Sequence, residues 1–250
     1  MVLAMSGEDR GDASSVTKGT ALVTGASRGI GRAIAQRLAA DGYDIVAVAR
    51  DEGELDSLCA EIRRTGRDCR VLALDITDAT AVQRALEPLE VDVLVNNAGV
   101  GVIKPFVEMS LDEWNTMMDV NVNALFHVTH ALLPGMLERG HGHVCTIGSI
   151  SARSAYVGGA AYSGTKAFVT AWAESLMLEV RGRGVKVSVV APGGVATEFS
   201  GHEVTDADRW KLAPEDVAAA VSQVVGTPPD VLIHRLEVRT LTPPPPKQGK

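Results

Sequence analysis

Short apolar runs alternate along this chain with longer stretches in which apolar residues recur every three or four positions. The short runs have strand length, and they fall at 21–24, 44–49, 70–74, 91–95, 142–147, 186–190 and 231–238. Helical spacing is clearest at 31–40, 52–65, 111–138, 160–181 and 214–225. Strand–helix alternation with right-handed crossovers predicts one α/β domain, a doubly wound parallel sheet of about seven strands with helices on both faces. The domain should span 18–241. Residues 6–17 are small and polar, and 242–250 carries four consecutive prolines, so both ends, 1–17 and 242–250, are expected to be loose tails. No internal repeat or linker divides the rest.

Composition narrows the function classes. With 250 residues, 46% of them hydrophobic, the chain can bury a sheet on both faces. A net charge of −7, no basic stripe and few aromatics argue against a nucleic-acid partner. Cys59, Cys69 and Cys145 lack metal-ligand spacing, and their odd number suggests a reducing compartment. Residues 1–5 are too short an apolar stretch for a signal peptide, and no run reaches membrane-spanning length. A soluble cytoplasmic protein without a metal is expected.

Two patterns carry chemistry. The run 18–23 leads into Thr24-Gly25-Ala26-Ser27-Arg28-Gly29-Ile30-Gly31, followed by Ile34 and Leu38 at helical spacing. Strand, glycine turn and helix in that order suit a diphosphate, because glycine lets it approach the backbone and the helix start offers unpaired N–H groups. An isolated glycine turn would be only a tight turn. The second pattern is Tyr162 with Lys166 four residues on, a partner that neither Tyr43 nor Tyr156 has. One helical turn puts both side chains on one face, about 5–6 Å apart at Cβ. A neighbouring cation favours the phenolate, which ordinarily needs a pH of about 10, and makes tyrosine a usable proton donor and acceptor. Surface packing can produce the same spacing.

With these residues in view, 20–238 resembles the short-chain dehydrogenase/reductase family in its branch of about 250 residues. The family's TGxxxGxG turn is matched by Thr24, Gly25, Gly29 and Gly31, and its NNAG segment by Asn96, Asn97, Ala98 and Gly99. Asn121, Ser149, Tyr162 and Lys166 match its catalytic positions, and Pro192, Gly193 and Thr197 its PGxxxT turn. The resemblance implies a Rossmann sheet and reversible hydride transfer between a nicotinamide and a ketone, aldehyde or secondary alcohol. It implies that Tyr162 is the general acid/base, that Ser149 holds the substrate oxygen, and that Lys166 lowers the tyrosine pKa and holds the ribose. Asn121 would fix a water that links the lysine to solvent; Asn123 competes for that role but lacks the family register. The dinucleotide would be held by Gly25, Ser27, Arg28, Gly29, Ile30, Gly31, Arg50, Asp75, Ile76, Asn97, Ala98, Gly99, Tyr162, Lys166, Pro192, Gly193, Val195 and Thr197. Ser149 could instead be a strand-end turn serine, Asn121 a solvent-facing helix residue, and Asp75 a helix cap.

Charge selects the nicotinamide. The second strand ends at Ala49 without the carboxylate that binds a ribose 2′-OH, and Arg50 and Arg28 supply two cations for a 2′-phosphate. NADP(H) is the expected cofactor. Asp51 is a counter-signal unless it caps the next helix.

The segment 198–213, after the PGxxxT turn, is short and mostly polar with Phe199 and Trp210 as apolar anchors, which suggests a small or polar carbonyl substrate. Arg153 could anchor a substrate carboxylate or lie exposed, and Tyr156 could line the cleft. Ketoacyl-carrier reductases and hydroxy-acid dehydrogenases both fit. An epimerase or dehydratase, or a non-catalytic NADP(H) sensor, are the alternatives; the glycine spacing and the four retained catalytic positions count against them. Family resemblance also implies a homo-oligomer, a tetramer or a dimer, built on helices 111–138 and 160–181, with Trp172 at the interface and 231–238 completing a tetramer.

Overall fold

A computed structural model describes residues 17–242. Both tail expectations fall almost wholly outside that range. Seven parallel strands form one sheet in the order β3-β2-β1-β4-β5-β6-β7. In chain order the elements are β1 (Thr20–Thr24), α1 (Gly29–Ala40), β2 (Asp44–Ala49), α2 (Glu52–Arg63), β3 (Cys69–Ala73), α3 (Ala79–Leu86) and β4 (Val93–Asn96). There follow α4 (Leu111–Met118), α5 (Ala124–Arg139), β5 (Gly142–Ile147), α6 (Ala160–Val180), β6 (Val185–Pro192), α7 (Pro214–Val225) and β7 (Arg235–Val238). Helices α1, α2 and α7 bury one face of the sheet around Ile34, Leu38, Leu55 and Val221. Helices α3, α5 and α6 bury the other around Leu22, Leu94, Leu132 and Met177. Strand order reverses between β1 and β4, and the crevice beyond their C-terminal ends is where ligands settle in such sheets.

Three departures from the sequence-based expectation have local causes. The expected 111–138 helix runs to Arg139 but contains one π-helical turn at Asp119–Asn123, which the apolar spacing does not reveal. The last strand begins only at Arg235. Before it, Val231 N–H closes a turn on Pro228, and the Ile233 carbonyl accepts from the Ser188 hydroxyl at 2.7 Å.

The third departure is the cysteine count. Cys59 on α2 and Cys69 at the start of β3 are joined in a disulfide, with Cα atoms 5.1 Å apart, and Cys145 is buried and free. A ten-residue separation spanning helix end, turn and strand start returns the chain to the same place. The odd number therefore reflects one bridge plus one core thiol, and the count by itself no longer argues for a reducing compartment. Among the described residues no helix is long and apolar enough to cross a membrane.

Candidate active site

The crevice is floored by the turn after β1. Gly25 and Gly29 sit in the left-handed region, at φ 66° and 55°. A Cβ on Gly31 would lie 2.1 Å from the Gly25 carbonyl oxygen, so only glycine lets α1 begin this close to the strand. The Thr24 hydroxyl accepts from the N–H groups of Asn97 (3.0 Å) and Ala98 (3.1 Å), and Asn97 Nδ2 donates to the Thr24 carbonyl at 2.9 Å. Thus the segment from Asn97 to Gly99 is bound to the glycine turn. Arg28, the N-cap of α1, makes no side-chain cap, so its first-turn N–H groups face the crevice. The sequence-expected residues Ser27 and Ile30 lie in the same turn, and Ile30 packs on the core beneath it. This cradle fits a dinucleotide diphosphate.

Exposed cations rim its far end. Arg50 follows β2, and Asp75 lies beyond β3, its carboxyl held below its usual pKa by the Thr77 N–H, then the Thr77 hydroxyl, with a smaller effect from Arg50. Asp75 is not a helix cap: its oxygen accepts from Thr77 at 3.0 and 2.7 Å, while Asp78 caps α3. Asp51 accepts from Glu54 N–H and caps α2, which removes it as a counter-signal. Arg28 forms an ion pair with Glu198 at 3.0 Å.

Ser149, Tyr162, Lys166 and Asn121 converge at the other end. Ser149 follows β5 and accepts from the Ser151 N–H at 3.1 Å, a turn role that coexists with its hydrogen bond to the Tyr162 phenol. Lys166 Nζ is buried, donates to the Ile147 carbonyl at 2.9 Å, and stands 5.9 Å from the Tyr162 ring centre. Burial pushes the Tyr162 phenol up to about 12, partly offset by Ser149 and reinforced by the Tyr156 phenol. Burial likewise pushes the Lys166 ammonium down to about 8. Desolvation is the largest influence on both groups, and it disfavours the charged form of each.

Asn121 is a buried residue of the π turn, beside Val122. Its Oδ1 accepts from Val100 N–H at 2.8 Å, and its Nδ2 donates to the Val100 carbonyl (2.8 Å) and to Thr165 (3.1 Å). That amide is spent on protein groups, so its visible work is to lock the loop after Gly99 against α6. Beside it a cavity of about 10 Å³, lined by Thr24, Ile76, Asn96, Thr146 and Lys166 among others, approaches the volume one water needs. Asn123 is exposed and donates to Asp119, which removes it from the site.

The PGxxxT turn closes the crevice. Pro192 ends β6, Gly193 N–H donates to the Val238 carbonyl, Val195 bridges Leu212, and the Thr197 methyl would lie 3.4 Å from a Cβ on Gly29. Beyond it the Phe199 ring centre lies 5.6 Å from that of Tyr162, and Ser200 Oγ donates to the Gly101 carbonyl. Trp210, the other expected apolar anchor of this segment, lies near Gly194 and borders a cavity with the 238–242 segment. Arg153 is exposed at the end of a 3-10 turn, and Tyr156 lies over Gly159 with its hydroxyl on Ser151. Sequence reasoning missed Thr165, which lies inside the Tyr-Lys spacing, and it placed Glu198 in the polar segment over the pocket without its partner Arg28, 170 positions away.

A family model described as short chain dehydrogenase matches residues 19–208. Serine 3-dehydrogenase of Rhizobium radiobacter is 35% identical over 235 residues, 88% of this chain and 93% of that protein. The NADP-dependent 3-hydroxy acid dehydrogenase YdfG of Escherichia coli (strain K12) is 36% identical over 237 residues, 88% of this chain and 94% of that one. Among solved structures, the closed form of serine dehydrogenase complexed with NADP+ superposes with a TM-score of 0.82 at 36% identity, covering 88% of this chain and 94% of that one.

Proposed function

The chain belongs to the short-chain dehydrogenase family, and from that premise we propose that it is an NADP(H)-dependent oxidoreductase of small hydroxy acids. The observation that carries the proposal is the convergence of Ser149, Tyr162 and Lys166 beside a glycine cradle rimmed by Arg28 and Arg50. Relatives named for serine and 3-hydroxy acids support the substrate class, as does the mostly polar segment 198–213.

When bound, the nicotinamide supplies a hydride to the carbonyl carbon or accepts one from the alcohol carbon. In reduction the Tyr162 hydroxyl gives its proton to the substrate oxygen, converting C=O to CH–OH; in oxidation the phenolate takes that proton back. Ser149 donates a hydrogen bond to the same oxygen and steadies its developing charge. Protonated Lys166 offsets the charge left on Tyr162. Asn121 keeps the Val100 segment in place, and Gly25, Gly29, Gly31, Asn97, Ala98 and Gly99 give the diphosphate and ribose a close backbone. Asp75 and Ile76 border the adenine end, and Val195 and Thr197 the nicotinamide end. Retention of Ser149, Tyr162 and Lys166 in one cluster disfavours a non-catalytic sensor.

The exposed apolar faces of α5 and α6 support a homo-oligomer, a tetramer in our reading. A cytoplasmic location requires the fold to survive reduction of the Cys59–Cys69 bridge. The proposal is tested by mixing the protein with NADPH or NADH and a panel of keto acids, ketones and aldehydes, following reduced-nicotinamide absorbance. Turnover of 3-oxo acids with NADPH, lost by at least about 100-fold in Tyr162→Phe with cofactor binding retained, is expected. No turnover with any carbonyl, or undiminished turnover in the variant, would overturn it.

A further inference from the structure

We propose that Glu198 tunes cofactor choice: its carboxylate holds the Arg28 guanidinium until the 2′-phosphate of NADP(H) takes its place. The inference rests on Arg28 being a ligand of that phosphate.

Three observations carry it. Arg28 immediately precedes Gly29, at the mouth of the cradle, and Thr197 packs on Gly29 itself, so the next residue is delivered to the arginine. The pair closes at 3.0 Å, and among the described residues Glu198 is the only acidic partner of Arg28. Both side chains are largely exposed, at 71% and 65%, so the pair is weak and readily exchanged. A phosphate monoester brings up to two charges and three acceptor oxygens against the single charge of the carboxylate, and it wins the guanidinium.

Glu198 also opens the segment that covers the proton donor. Phe199 lies against Tyr162, and Ser200, held at φ 63° as the only non-glycine residue with positive φ among those described, donates to Gly101. The ion pair is therefore a tether between this cover and the glycine turn. NADP(H) removes the tether and NAD(H), lacking the 2′-phosphate, leaves it. Glu198 thereby sets a handicap on NADP(H) that NAD(H) does not meet.

The test measures affinities, not turnover. Binding of NADPH, NADH and 2′,5′-ADP to the full chain is titrated by fluorescence or calorimetry for wild type, Glu198→Gln, Arg28→Ala and the double variant. Glu198→Gln should tighten NADPH and 2′,5′-ADP by up to about five-fold, the range of an exposed pair, and leave NADH unchanged. Arg28→Ala should weaken NADPH by at least about ten-fold and abolish the effect of Glu198→Gln. Unchanged NADPH affinity in Glu198→Gln, or equal tightening of NADH, would overturn the inference while leaving Arg28 as a phosphate ligand. Unchanged NADPH affinity in Arg28→Ala would overturn that role, and the inference with it. Glu198 is exposed, so its variant keeps the fold, and a circular-dichroism melt checks it.

Discussion

Lys166 is held at a cost to the fold. Lys166 is 6% exposed, and its ammonium has no carboxylate partner and donates only to the Ile147 carbonyl. Its pKa falls from 10.5 to about 8, a depression that corresponds to about 3 kcal/mol. The unfolded chain binds the proton more tightly, so between pH 8 and 10.5 it carries more protons than the native state and stability rises with pH. Below pH 8 the penalty is fully present. Lys166→Met should therefore be the more stable protein at pH 7, by about 2–3 kcal/mol in urea unfolding, with an advantage that fades toward pH 10.5. The same variant should be inactive. In wild type the reductive kcat/KM should fall above about pH 8, as the charge that offsets the Tyr162 anion is lost; a profile flat from pH 6 to 10 would reject this role. The Tyr–Lys pair was legible in sequence because helix periodicity dictates which side chains share a face. The sign of its electrostatics was not, since burial is a property of the packed sheet and not of spacing.

At the scale of elements, legibility follows the range of the interaction. β1, the glycine turn and α1 form one local unit, and their places were readable from residues that lie within a few positions of one another. Asn121 was identifiable by register, yet the π turn that aims it inward is invisible to a 3.6-residue apolar pattern. The Cys59–Cys69 bridge was missed for a related reason: pairing depends on where β3 turns back against α2, which the spacing alone does not specify. That bridge closes a short loop, which stabilises by roughly 2–3 kcal/mol through the unfolded chain. Reduction by dithiothreitol should lower Tm by about 5–10 °C. A Cys59→Ser/Cys69→Ser protein should melt at the reduced value with and without reductant. Identical melting of wild type in both conditions would mean that the bridge does not form in solution.

On the scale of the whole molecule, the sheet satisfies both of its faces but the outer helices do not satisfy theirs. On α6, Phe168 is 45% and Leu178 60% exposed, and on α5 Phe126 is 56% exposed. Trp172, which sequence alone singled out for an interface, is partly buried against the core cluster that holds Met177 and Leu132, so a charge there would test folding as well as assembly. Phe168 and Leu178 are the better probes, because their side chains already stand in solvent and a charge at either place leaves the monomer core intact. β7 is an edge strand of the sheet and offers a second surface. If α5 and α6 bury their apolar faces against a second copy, a Phe168→Glu/Leu178→Glu protein should show a smaller mass than wild type in light scattering. Its melt should lose only the share of stability that association contributes. A wild-type protein that already scatters as a monomer would defeat the oligomer proposal, and an unchanged mass in the double variant would move the interface off α6.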